Sequence, residues 1–247
     1  MMSNQLVAIL AVLILGVAVL YSAVGHAGAS GYLAVMGLLG VAPAVMKPTA
    51  LVLNILVAVV TSTKFYRAGH FSFRLFWPFA LASVPFAFLG GALTLPSHWY
   101  KVAVGVLLLY SAVQMFFSRR AIAERASAQP PLLVALGIGA VIGLASGLIG
   151  VGGGIFLSPI LLLAGWAGVR ETAAISALFI LVNSIAALLG HVTAVAGLPS
   201  ALPLFALAAL VGGWIGASYG SRRLPPTAFR QALALVLVIA GFKLMLL

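Results

Sequence analysis

Two glycine clusters are the places in this chain where the backbone itself could do chemistry: Gly25-His26-Ala27-Gly28-Ala29-Ser30-Gly31 and Gly147-Leu148-Ile149-Gly150-Val151-Gly152-Gly153-Gly154. Glycine lets a chain unwind and lets a ligand come close to its amides. A helix beginning just after each cluster would aim free N–H groups and its positive dipole end at a ligand, which suits an anion. The competing use of glycine is close helix packing, which does not call for three in a row at Gly152, Gly153 and Gly154. The candidate ligand-binding set here is therefore Gly25, His26, Gly28, Ser30, Gly31, Gly150, Gly152, Gly153 and Gly154.

Polar side chains interrupt the apolar runs that follow. Thr49 precedes Asn54 by five residues, and Ser176 precedes Asn183 by seven; both spacings put the pair roughly on one side of a helix. Hydroxyls and amides can bind an oxyanion without charge, or simply bond to a neighbouring helix. His26 could donate to an anion, carry a proton or bond a carbonyl of its own unwound stretch. Lys47 is a further cation within reach of such a site; His191 reads as a helix-end residue, and His70 and His98 as loop residues. The chain has two acids, Glu124 in a polar stretch and Glu171 at a helix start. A cation held in an apolar interior needs a buried carboxylate, so an anion is the consistent ligand. With no cysteine and four dispersed histidines, no metal site is expected, and nothing calls for a cofactor.

The elements that must hold these residues lie in lipid. Hydrophobic residues make up 64% of the 247 and charged ones only 6%, with a mean hydropathy of +1.26; a soluble domain carries about 25% charge. The net charge of +11 is scattered between apolar runs rather than gathered on a face, which argues against nucleic acid and for loop anchors. We therefore expect an all-α integral membrane protein. Apolar segments fall at 6–24, 31–45, 48–65, 74–95, 100–117, 131–148, 153–166, 172–190, 200–220 and 226–247. The first lacks the basic start of a cleaved leader and reads as a retained span.

A polar stretch at 119–130 divides residues 1–118 from 131–247, and the halves resemble each other. Phe79-Ala80-Leu81-Ala82 recurs 126 residues on as Phe205-Ala206-Leu207-Ala208, and Leu95-Pro96 recurs 129 on as Leu224-Pro225. Gly25, Gly28 and Gly31 match Gly147, Gly150 and Gly153 at a shift of 122. Basic residues lie on opposite loops of the two halves: Lys64, Arg67 and Arg74 in the first, against Arg222, Arg223 and Arg230 one loop later in the second, with Arg170 standing where Lys47 stands. The linker adds Arg119, Arg120 and Arg125. Reading these loops as cytoplasmic predicts an inverted repeat of five segments per half, with both termini periplasmic. The segments at 31–45 and 153–166 would span only about 21–22 Å at about 1.5 Å per residue, short of a hydrocarbon core of roughly 30 Å. Short, glycine-interrupted segments at matching positions point to a transporter's site.

GLASGLIGVGGGIFLSPILLL (143–163) with TAAISALFILVNSIAALLGH, and GHAGASGYLAVMGL with KPTALVLNILVAVVTSTKFYRAGH, resemble the two repeats of the TauE/SafE sulfite exporter family, the 4-toluene sulfonate uptake permeases. The resemblance covers nearly the whole chain, and its most specific part is the G-x-G-G-G-x-x-x-x-P form from Gly150 to Pro159. It implies a secondary transporter of sulfite, sulfonates or other organic anions in the bacterial cytoplasmic membrane. It also adds Ser158 beside Pro159 to the expected pathway residues, which include the Thr49/Asn54 and Ser176/Asn183 pairs. The coupling ion it leaves open; a proton could travel on the substrate or on His26. Two other readings stand beside it. One is a passive anion channel. The other is an intramembrane serine protease using the string Gly28-Ala29-Ser30-Gly31, although the repeat has Gly152 in place of Ser30.

Overall fold

The computed structural model describes residues 3–117, 129–191, 198–222 and 227–246. Almost all of the linker expected at 119–130, with Arg119, Arg120, Glu124 and Arg125, lies outside the described residues, as does Arg223. Among the described residues every regular element is helical: α1 (Asn4–Ser22), α2 (Ala29–Leu38), α3 (Pro43–Arg67), α4 (Phe73–Ala92), α5 (Ser97–Phe117), α6 (Leu132–Ile149), α7 (Gly154–Leu163), α8 (Val169–Gly190), α9 (Leu202–Gly220) and α10 (Thr227–Leu246). All ten expected segments are present. Counted over the described residues, six helices, α1, α3, α4, α6, α8 and α9, are long and apolar enough to cross a membrane. Large side chains such as Leu133, Val141, Leu163 and Leu207 stand exposed on the outside, where only lipid can cover them.

α2 and α7 have ten residues each, about 15 Å at about 1.5 Å per residue, so they are shorter than the segments expected at 31–45 and 153–166. In both, a left-handed glycine starts the helix and another ends it. Gly25, Gly28 and Gly40 have positive φ, and so do Gly150, Gly153 and Gly165, each 125 residues on. The backbone bonds recur at the same spacing: His26 N–H to Tyr21 O and Val151 N–H to Ser146 O at the breaks, and Val41 N–H to Met36 O and Trp166 N–H to Leu161 O after the short helices. The shift of 122 matched glycine to glycine by type. Conformation matches Gly25 with Gly150 instead, because Gly31 and Gly147 are right-handed packing positions against Val17 and Ala87.

Lys47, expected in a loop before a segment at 48–65, lies inside α3, because Pro43 pre-sets the first turn and the helix starts there.

Two pairs of helices meet backbone to backbone. A methyl at Gly139, Gly143 or Gly147 of α6 would overlap the carbonyl oxygen of Phe79, Ser83 or Ala87 of α4, and one at Gly212, Gly216 or Gly220 of α9 would overlap that of Leu15, Val19 or Ala23 of α1. The constant offsets make both pairs parallel. Glycine every fourth residue permits this approach, which in lipid stabilises by dispersion and Cα–H···O contacts instead of by hydrophobic exclusion.

α3 and α8 are antiparallel at the centre: Asn54 bonds Ser184, while Phe65 packs on Ala173 and Ala174. The end of α3 and the start of α8 therefore share one face of the molecule. Gly25 against Ala173, and Gly220 against Ala23, bring the ends of α1 and α9 there too. That face gathers Lys64, Arg67, Arg74, Arg170 and Arg222.

Candidate functional site

Between α3 and α8 runs a buried polar seam, and both glycine breaks open onto it. On α3, Lys47, Asn54 and Thr61 recur every seven residues, so they share a face; with Thr49 they are 0–5% exposed. On α8, Thr172, Ser176, Asn183 and Ser184 are equally buried. Several of these groups have no protein partner: the Oγ1 of Thr49, Thr61 and Thr172, the Asn54 Oδ1 and the Asn183 Nδ2. Polar groups left unbonded in an apolar interior are costly. Asn54 turns to Ser184 across the α3–α8 contact, whereas Asn183 turns to Ser83 of α4.

Ser158 is the junction of the two halves. Its Oγ lies 3.1 Å from His26 Nε2, 2.8 Å from Ser176 Oγ and 2.9 Å from the Gly154 carbonyl. His26 belongs to the first break and is half-buried; Ser158 stands one turn into α7, just after the second break. Gly153, left-handed with φ 81°, starts α7 with no side-chain cap, and Gly28, with φ 104°, starts α2 likewise. Each short helix thus begins at a glycine, which has no side chain of its own to cap the first-turn N–H groups.

Asn54 ties the first half to the second break. Its Nδ2 donates to the Val151 carbonyl at 3.1 Å and to Ser184 Oγ at 3.3 Å. Because a carbonyl can only accept, the amide nitrogen must face it and Oδ1 is the free acceptor. Gly152 sits against both Ser184 and Asn54: a Cβ there would stand 2.6 Å from the Ser184 hydroxyl. Tyr100 Oη donates to the Ile149 carbonyl at 3.1 Å, satisfying one carbonyl freed by the break.

The other expected residues are placed apart from this junction. Ser30 bonds Tyr21 Oη at 2.7 Å. Gly31 packs on Val17 and Tyr21, and Gly25 on Ala173. Asn183 accepts from Ser83 of α4 at 2.7 Å, so the two asparagines do not converge. The fold pairs Ser158 with His26, while Ser30 of the Gly28–Gly31 string bonds Tyr21 of α1. Among the described residues, no group of three His, Cys, Asp or Glu could hold a metal. The sequence reading missed Tyr21, Ser83, Thr61, Tyr100, Thr172 and Ser184. Tyr21, Ser83, Thr61 and Ser184 carried a signal, being polar residues within apolar runs, which face protein and not lipid; Tyr100 and Thr172 stand at the edges of their runs beside Lys101 and Glu171.

Lys47 caps the seam at the end opposite the arginine-rich face. Its Nζ donates to the Gly91 and Leu93 carbonyls at 3.2 and 3.3 Å. His191, just past α8, is close to it. Burial and then the Lys47 ammonium hold the imidazole below the ordinary histidine value, against the opposing hydrogen bond to the Gly91 backbone.

Among the described residues, an all-helical fold with six membrane-length helices is that of a multi-pass membrane protein. Residues 9–244 match the family described as Sulfite exporter TauE/SafE, and the chain belongs to that family. It is also 42% identical over 239 residues to the Probable membrane transporter protein y4hK of Sinorhizobium fredii (strain NBRC 101917 / NGR234), covering 96% of this chain and 97% of that one. No solved structure matches the chain.

Proposed function

We propose that this protein is a secondary transporter that moves a small sulfur-containing or organic anion, such as sulfite or a sulfonate, across the bacterial cytoplasmic membrane. The observation that carries this reading is the Ser158 junction. There His26, from the stretch that leads into α2, meets the hydroxyls of Ser158 in the first turns of α7 and of Ser176 in α8. The one described acid, Glu171, is in the first turn of α8, at the arginine-rich end. Amide dipoles and hydroxyls favour an anion, and no carboxylate in the seam opposes it.

In this reading the halves 1–118 and 131–247 are inverted repeats. Support comes from the left-handed glycines that recur 125 residues apart and from the antiparallel pairing of α3 with its counterpart α8. The arginine-rich face is cytoplasmic and both termini are periplasmic. Substrate occupies the space between the breaks, held by Gly28, Gly152 to Gly154, His26, Ser158 and Ser176, with Asn54 and Thr49 along the way. A proton accompanies it on the anion itself or on His26.

The test is counterflow in proteoliposomes against a panel of sulfite, sulfonates and carboxylates. Saturable, competitive exchange of sulfur oxyanions is expected, and Ser158→Ala should lower kcat/KM by roughly tenfold or more, the worth of one charge-assisted hydrogen bond. Purely linear, electrogenic flux would make the protein a channel, and exchange of cations alone would sink the reading.

A further inference from the structure

We infer that Lys47 is the charge through which the seam selects anions: an ammonium held on the end of α4 at one mouth of the path, where an arriving anion exchanges for the carbonyls that hold it. The inference rests on the anion-transport reading and adds a specificity residue to it.

Lys47 is only 5% exposed. Two of its three ammonium protons go to main-chain carbonyls, those of Gly91 and Leu93. These are the last carbonyls of α4, at the negative end of its dipole, which offsets part of a full positive charge. A buried ammonium ordinarily needs a carboxylate. Glu171 cannot serve, because it lies in the first turn of α8 while Lys47 neighbours His191 beyond the last turn of the same helix. An anion would complete the balance.

The position joins this charge to the site. The Lys47 stem leans on the second break, where a Cβ at Gly150 would stand 2.9 Å from Lys47 Cγ. Asn54, two turns further along the same face of α3, bonds the next residue of that break, Val151. One helix face therefore carries the cation and an unbonded amide oxygen past the backbone that opens α7. An anion that draws Lys47 off α4 would release the end of α4 and the Gly150 break together.

The experiment measures influx of radiolabelled sulfite and methanesulfonate into neutral phosphatidylcholine vesicles, so that no anionic lipid competes. Wild type, Lys47→Gln and Lys47→Arg are compared, each checked for a sharp thermal unfolding transition. Lys47→Gln should raise KM about tenfold or more with a smaller change in kcat, and Lys47→Arg should stay within about threefold of wild type, since a charged hydrogen bond is lost in the first and kept in the second. Unchanged KM in a folded Lys47→Gln protein overturns the inference while leaving anion transport standing. If Lys47→Gln does not fold, Lys47→Arg decides: near-wild-type KM supports the inference, and a folded protein with KM raised tenfold overturns it. Wild-type protein that moves neither anion overturns both readings.

Discussion

Ser158 and His26 show how a few atoms join two halves of a chain 132 residues apart. A hydroxyl can donate once and accept twice, so Ser158 has capacity for His26, Ser176 and a ligand only if its proton is free to leave the Gly154 carbonyl. His191 offers a different test at the same scale. Its imidazole is held below the ordinary histidine value of about 6.5 by burial and by Lys47, so the folded state binds a proton less readily than the unfolded state. The stability it contributes is complete above that ordinary value and is lost as pH falls below it. Thermal unfolding in detergent should therefore drop between pH 7.5 and pH 5, and His191→Gln should flatten the drop; an identical pH profile in the variant would refute this.

At the scale of elements, the glycines divide into two kinds with different physics. Gly150 and Gly153 are left-handed, a region that L side chains enter at a cost of about 1–2 kcal/mol, and they create the break. Gly139, Gly143 and Gly147 are ordinary helical residues whose lack of a side chain lets α6 lie on α4. Gly143→Leu should consequently destabilise by overpacking, by about 1–3 kcal/mol or more, because the Ser83 backbone it meets cannot move aside as a flexible side chain would. Loss of a monodisperse folded species in detergent checks this. Gly137 in the same helix has nothing near it and serves as the control, with Gly137→Leu expected to remain folded.

For the whole molecule, the paired contacts form an exchange: α1 lies on α9 as α6 lies on α4, and α3 touches α9 as α8 touches α4. Neither half is a separate body, since each packs on the other's helices. The proposed orientation predicts opposite accessibility for two exposed loops, one at Gly69 beside the arginine-rich face and one at Ser97 on the opposite face. The chain has no cysteine, so Gly69→Cys and Ser97→Cys each create a single thiol. In intact cells an impermeant maleimide should label Ser97→Cys and spare Gly69→Cys; the reverse labelling would invert the assignment, and equal labelling would refute it.

The residue string alone determined that the chain lives in lipid, that it has ten apolar segments, that two of them are short, and that glycine breaks precede those two. All of this follows from local chemistry: hydropathy sets the solvent, glycine sets the permitted φ, and segment length sets the reach. The partners were decided only by the folded chain, because side chains 97 to 132 residues apart, such as Asn54 with Val151 and His26 with Ser158, meet through packing that no local pattern encodes. The spacing that matches the glycines moved from 122 to 125 for the same reason, as type matching cannot separate a left-handed glycine from a packing one. Lys47 is the clearest case. In the string it stands beside a proline as a cation ahead of the segment at 48–65 and within reach of the site, yet α3 begins at Pro43 and carries it inward, where the carbonyl end of a helix 44 residues away receives it.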